Sequence, residues 1–211
     1  LAEASGNVEE AAYAYVFWQF CHLDRGDYDR VLTLKEDVLR TMEQQFNLRF
    51  HTYALSAAAR AYACLGRWDE AVEEANKALN TAEEFSDNSL ISFVAWNLSM
   101  VYTWKGDLTR AVEYGELAVE KAPTPAEKAW AQRSLGWTWC RSGDTTRGIE
   151  LLTSVLPIFR AGRFINSEIP LTCFLSEGYW LAGEDEQAKQ TLEEGLEMAE
   201  RCGFRYYVGF A

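Results

Sequence analysis

Gly26-Asp27-Tyr28-Asp29-Arg30-Val31, Gly66-Arg67-Trp68-Asp69-Glu70-Ala71, Gly106-Asp107-Leu108-Thr109-Arg110-Ala111, Gly143-Asp144-Thr145-Thr146-Arg147-Gly148 and Gly183-Glu184-Asp185-Glu186-Gln187-Ala188 are five copies of one short pattern. Their glycines stand 40, 40, 37 and 40 residues apart in a chain of 211. A fixed period of this size marks a repeat architecture in which each unit is one supersecondary element. Glycine suits a helix C-terminus, because a residue without Cβ enters the left-handed region at almost no cost. The acidic and small polar residues that follow suit the first turn of a new helix, at the positive end of its dipole. Each unit therefore reads as helix, tight turn, helix.

Other columns keep the same register. Four residues before each glycine stand His22, Tyr62, Tyr102, Trp139 and Tyr179; eight before stand Trp18, Ala58, Leu98, Leu135 and Leu175. Seven before, the residues are mostly small: Gln19, Ala59, Ser99, Gly136 and Ser176. Five after come Val31, Ala71, Ala111, Gly148 and Ala188. Large residues alternating with small ones at helical spacing are what close packing of two antiparallel helices requires.

These columns resemble the tetratricopeptide (TPR) pattern, in which a Leu-Gly pair, a Tyr, a turn Gly and an Ala mark each helix pair. Leu135-Gly136, Trp139 and Gly143 carry it in the fourth unit, and Tyr62, Gly66, Ala71 and Ala78 in the second. Leu98, Tyr102, Gly106, Ala111, Ala118 and Pro123 carry it in the third; the first unit departs most, with His22 for Tyr and Val31 for Ala. HEAT and armadillo repeats have similar periods, but the Tyr-x-x-x-Gly turn with Ala five residues on favours the TPR pattern. The resemblance implies an all-α fold: a right-handed TPR-like superhelical solenoid of five antiparallel helix pairs plus the start of a sixth. It also implies a single domain over 1–211, with units at about 8–46, 48–85, 89–122, 125–160 and 167–202, and 203–211 opening a sixth. First helices are expected near 8–25, 48–65, 89–105, 125–142 and 167–182. Second helices are expected near 28–46, 68–85, 108–122, 145–160 and 185–202, with the longest irregular link at Ala161–Pro170.

The long period resembles the helical-repeat regions of bacterial adenylate cyclases with an attached ATPase module, and of maltose-activator-type regulators. Glu177-Gly178-Tyr179-Trp180-Leu181-Ala182-Gly183 and Leu196-Glu197-Met198-Ala199-Glu200-Arg201-Cys202-Gly203 carry that likeness. No cyclase or ATPase motif accompanies them, so no activity transfers with the resemblance.

Composition narrows the chemistry. A net charge of −12 repels phosphate backbones and anionic headgroups, so neither nucleic acid nor membrane is an expected partner. The longest apolar run, Ala11–Trp18, is far too short to cross a bilayer, and no signal peptide precedes it. Five widely spaced cysteines, none in a C-x-x-C pair, indicate neither a disulfide framework nor a zinc site. A cytoplasmic setting follows from these readings. Leu1 is not an initiator Met, and the chain reads as a piece of a longer protein. No phosphate loop, dinucleotide fingerprint, zinc-protease or nucleophile-elbow motif occurs, so no enzyme activity, cofactor or metal is expected.

Partner binding is expected on the concave wall, where the first helix of each TPR pair points its groove columns. Thirteen, ten, six and three residues before each turn glycine these columns include Tyr53, Arg60, Phe93, Trp96, Met100, Trp130, Arg133, Trp137 and Trp180. A solvated face would carry Lys, Glu and Ser; aromatics and arginine mark a contact surface. The expected role is a protein or peptide interaction module, a regulatory segment of a larger bacterial signalling protein. Two alternatives stay open: an effector-sensing domain enclosing a small ligand or signal peptide, and a spacer or dimerisation element. The apolar run from Phe204 to Phe210 suggests weak self-association through the C-terminal end.

Overall fold

The computed structural model describes residues 8–42, 47–205 and 208. Among them are ten helices and no strand: α1 (Val8–Asp24), α2 (Tyr28–Met42), α3 (Leu48–Cys64), α4 (Trp68–Glu84), α5 (Asn88–Lys105), α6 (Leu108–Lys121), α7 (Pro125–Ser142), α8 (Thr145–Gly162), α9 (Ile165–Leu181) and α10 (Asp185–Cys202). The five turn glycines sit at φ between 73° and 97°, the left-handed conformation that ends each first helix. Side chains start the next helices: Asp87, Asp107, Thr124 and Asp144 each accept from the backbone N–H three residues on.

The link expected at Ala161–Pro170 is helical instead. α8 runs through Gly162 and α9 begins at Ile165, with only Arg163 (φ 54°) and Phe164 between them. Pro157 and Pro170 both lie inside helices. Each removes one backbone bond, but Pro157 lies on the solvent face, and the carbonyl freed by Pro170 belongs to the exposed Asn166. The expected end of α2 at 46 falls outside the described residues, as does most of the stretch from 206 to 211.

Every helix packs on the next, and first helices pack on first helices (α1 on α3, α3 on α5, α5 on α7, α7 on α9). Second helices stand further apart and meet through long side chains, Lys35 with Glu74 at 3.4 Å and Arg160 with Glu194, so they form the outer layer. The alternation of large and small columns explains how closely the layers approach. A Cβ on Gly148 would stand 2.6 Å from the Gly136 carbonyl oxygen, and one on Gly136 2.9 Å from Leu152 Cγ. Polar members of the small column close the same contact with hydrogen bonds. Gln19 Nε2 donates to the Val31 carbonyl at 3.0 Å and Ser176 Oγ to the Ala188 carbonyl at 2.8 Å, each reaching its own second helix.

Ala71 and Ala111 occupy the column of Gly148 and have no accessible surface. Ala111→Leu is expected to overpack this contact and destabilise the array by about 2 kcal/mol. Chemical denaturation checks it; a variant as stable as the parent would show that the register of the pairs is misread.

Candidate functional site: the concave wall

The first helices line the inner side, and their aromatic rings form a ladder across units. Phe20 meets Tyr53 and Phe93 at 6.5 and 6.3 Å between centroids, Tyr53 meets Phe93 at 4.7 Å, and Phe93 meets Trp96 at 5.4 Å. Phe20, Tyr53 and Phe93 are half-buried. Trp96 is only 8% exposed, because two guanidinium groups lie over its ring: Arg60 at 5.9 Å and Arg133 at 5.4 Å. Arg133 also donates to the Ser167 carbonyl. Arginines from the second and fourth units thus share one ring from the third.

This winding corrects the expectation of an open patch at Trp96, Met100, Trp130 and Trp137. The four residues do belong to one cluster, but it is a core cluster. Met100 and Trp137 have no accessible surface. Trp137 stacks on Phe174 at 4.3 Å and donates its Nε1–H to Glu177 at 2.6 Å. Trp130, half-buried, donates Nε1–H to Ser167 Oγ at 2.9 Å and meets Phe164 edge-on. Arg60 and Arg133 are likewise buried, at 8% and 5% exposure. The physical reason is tight winding: facing columns of neighbouring first helices fill one another. Trp180 differs from all of these, with 64% of its surface exposed.

What stays open on the inner side is a cavity of about 600 Å³ where the two ends of the array face each other. Phe17, Trp18, Phe20 and Asp24 of α1 line one side; Asn166 of α9 and Phe204 line the other. Asp24 lies two residues before a turn glycine, outside the columns counted as groove-facing, and only its location among aromatics hints at a role. Desolvation pushes its carboxyl up to about 6, against the opposing pull of Arg60 and Arg133. Beside it, His22 Nδ1 is engaged with Asp27 at 2.9 Å.

Cysteine chemistry finds no support here. Burial pushes the Cys140 and Cys173 thiols up to about 12, and raises Cys64 and Cys21 as well. Among the described residues no group of three or more His, Cys, Asp or Glu side chains is arranged to hold a metal ion. None of the described helices is long and apolar enough to cross a membrane.

No family model and no curated protein matches the sequence. Solved structures do match along most of the chain. BtubC from P. vanneervenii superposes with a TM-score of 0.62 at 21% identity, over 95% of this chain and 89% of that one. Helical repeats of this geometry carry a name. The fold is a TPR-like solenoid. Aspartyl phosphate phosphatase F from Bacillus subtilis is similar at a TM-score of 0.64 and 12% identity, over 96% of this chain and 54% of that one. A signal transduction ATPase with numerous domains and a tetratricopeptide repeat sensor, from Pyrococcus horikoshii, is similar at 0.63 and 17%, over 96% and 32%. At these identities the TPR-like likeness concerns the fold.

Proposed function

We propose that this chain is a non-catalytic protein- or peptide-interaction module, binding an extended segment along the mouth of its concave face. The observation that carries this is the cavity of about 600 Å³ walled by Phe17, Trp18, Phe20 and Phe204, continuous through Phe20 with the half-buried rings of Tyr53 and Phe93. Rigid aromatic surface contributes contact area at low entropic cost, which is the composition of interaction hot spots. The aromatic anchors are therefore Phe20, Tyr53 and Phe93, with Trp130 flanking; Trp96, Met100 and Trp137 serve as the packed floor, and Arg60 and Arg133 hold that floor. We place the module as a regulatory segment of a larger bacterial signalling protein, on the sequence likeness of its last quarter.

A peptide library displayed on phage and selected against the immobilised chain tests the reading. Phe20→Ala and Tyr53→Ala are each expected to weaken a selected peptide by about 2 kcal/mol, roughly thirtyfold in Kd, while Trp180→Glu leaves it unchanged. Peptide binding indifferent to both ring removals would reject the concave face as the site.

A second reading, an effector-sensing domain, is favoured by the cavity's position between the first and last units. A guest there would tie the two ends together and alter superhelix pitch. The Pyrococcus horikoshii structure carries a repeat sensor by its own description. A guest-dependent change in the small-angle scattering profile would support the sensor over the scaffold.

A further inference from the structure

Phe20 and Asp24 stand four residues apart on α1, so their side chains share one face of the helix within a turn of each other. Phe20 continues through Tyr53 into Phe93, and Asp24 closes the other end of that run, on the wall of the cavity of about 600 Å³. A segment whose apolar residues rest on these rings therefore brings an adjoining side chain to a carboxylate. The position is an inner one and does not owe its access to the start of the chain. Two residues before the turn glycine the next three units carry Cys64, Trp104 and Arg141, and all three are likewise accessible.

Among the described residues no hydrogen bond or ion pair holds the Asp24 carboxylate, and the charges that act on it are Arg60 of α3 and Arg133 of α7. Both guanidinium groups are buried over the Trp96 ring, at 5.9 and 5.4 Å, and Arg133 donates to the Ser167 carbonyl. Neither lines the cavity. Asp24 and Arg25 do, with Arg25 exposed beside the turn and His22 engaged with Asp27. A carboxylate in a poorly hydrated place costs stability unless a cation pairs with it. Aromatic walls favour such a cation, because ring faces attract positive charge. A chain of net charge −12 also draws basic partners in general.

We infer that Asp24 is a specificity residue of the concave face, pairing with a lysine or arginine that adjoins the apolar residues of the bound segment. The inference rests on the concave-face reading and names its ligand class, a basic and partly apolar peptide. The ammonium or guanidinium group donates to the Asp24 carboxylate while its aliphatic stem lies along Phe20. An acidic residue at the same place would meet like charge. The empty protein carries the cost of the unpaired carboxylate, and the guest cation removes it.

Fluorescence anisotropy at pH 8 tests this, since a carboxyl raised to about 6 is ionised there. The probes are two synthetic forms of a peptide selected on the immobilised chain, one with its basic residue and one with norleucine in that place. The parent is expected to bind the basic form about tenfold more tightly. Asp24→Asn is expected to bind both forms alike, and Asp24→Glu to recover part of the preference. Phe20→Ala is expected to weaken both forms and leave their ratio unchanged. Thermal melting of each variant separates lost binding from lost folding. A selected peptide that needs Phe20 but carries no basic residue, or that ignores Asp24→Asn, overturns this inference and leaves the concave-face reading standing. Enrichment of acidic residues beside the apolar anchors overturns it as well. If no peptide binds the concave face, both fall together.

Discussion

Trp137→Ala is expected to destabilise the array by about 3–5 kcal/mol, as removal of a fully buried large aromatic does. The ring has no accessible surface, stacks on Phe174 with an interplanar angle of 11°, and meets Trp104 edge-on at 5.9 Å. Its loss empties a space bounded by three first helices and strands the Glu177 carboxylate, which Arg141 then holds alone. Trp137→Phe separates the two contributions, keeping the stack on Phe174 but losing the bond to Glu177. Urea unfolding of both, beside Tyr102→Ala, is the measurement. Tyr102 is a useful standard because it is buried in the neighbouring cluster and stacks on Tyr114 at 5.5 Å. A Trp137→Ala variant much more stable than Tyr102→Ala would return this ring to the binding surface.

That comparison also marks where the sequence ceased to be legible. Periodicity was enough for the pairs, because the turn glycines, the caps at Asp107 and Asp144 and the small column at Ala111 and Gly148 are local chemistry repeated in register. Whether a groove column faces solvent is not local. It depends on how far each pair rotates on the last, and that angle is summed over many contacts, including approaches as close as Gly136 on Leu152. Spacing places Trp96, Met100 and Trp137 in the expected groove columns, yet the packing of neighbouring first helices makes them core. The same effect hid Asp24, which gains its neighbours Arg60 and Arg133 only when the array curls.

Asp24→Asn is expected to stabilise the protein at pH 8, by up to about 3 kcal/mol, and to do nothing near pH 3. The carboxyl is pushed from 3.8 up to about 6, chiefly by desolvation, with Arg60 and then Arg133 opposing. A folded-state value above the unfolded one means the native state holds its proton more tightly. Stability is therefore greatest below the unfolded value and falls as pH rises through about 6, where Asp24 must ionise in a poorly hydrated place. Asparagine removes that cost, so the difference between variant and parent opens across pH 4 to 6 and is flat above. His22, bonded to Asp27, and Arg25 lie nearby, and both are unchanged by the substitution. Denaturation midpoints that differ equally at pH 3 and pH 8 would show that the effect is packing rather than ionisation.

The ring of Trp96, held between Arg60 and Arg133, has a bearing on how the molecule comes apart. Solenoids are ordinarily described as chains of nearest-neighbour terms, which lets terminal units fray while the middle persists. Here a side chain from the second unit and one from the fourth both close on a single ring of the third, so two neighbour terms meet at one side chain. Loss of either flanking unit then loosens the third. The middle three pairs should open together as a single cooperative block, with one common protection against amide exchange, and the outermost pairs should open more readily.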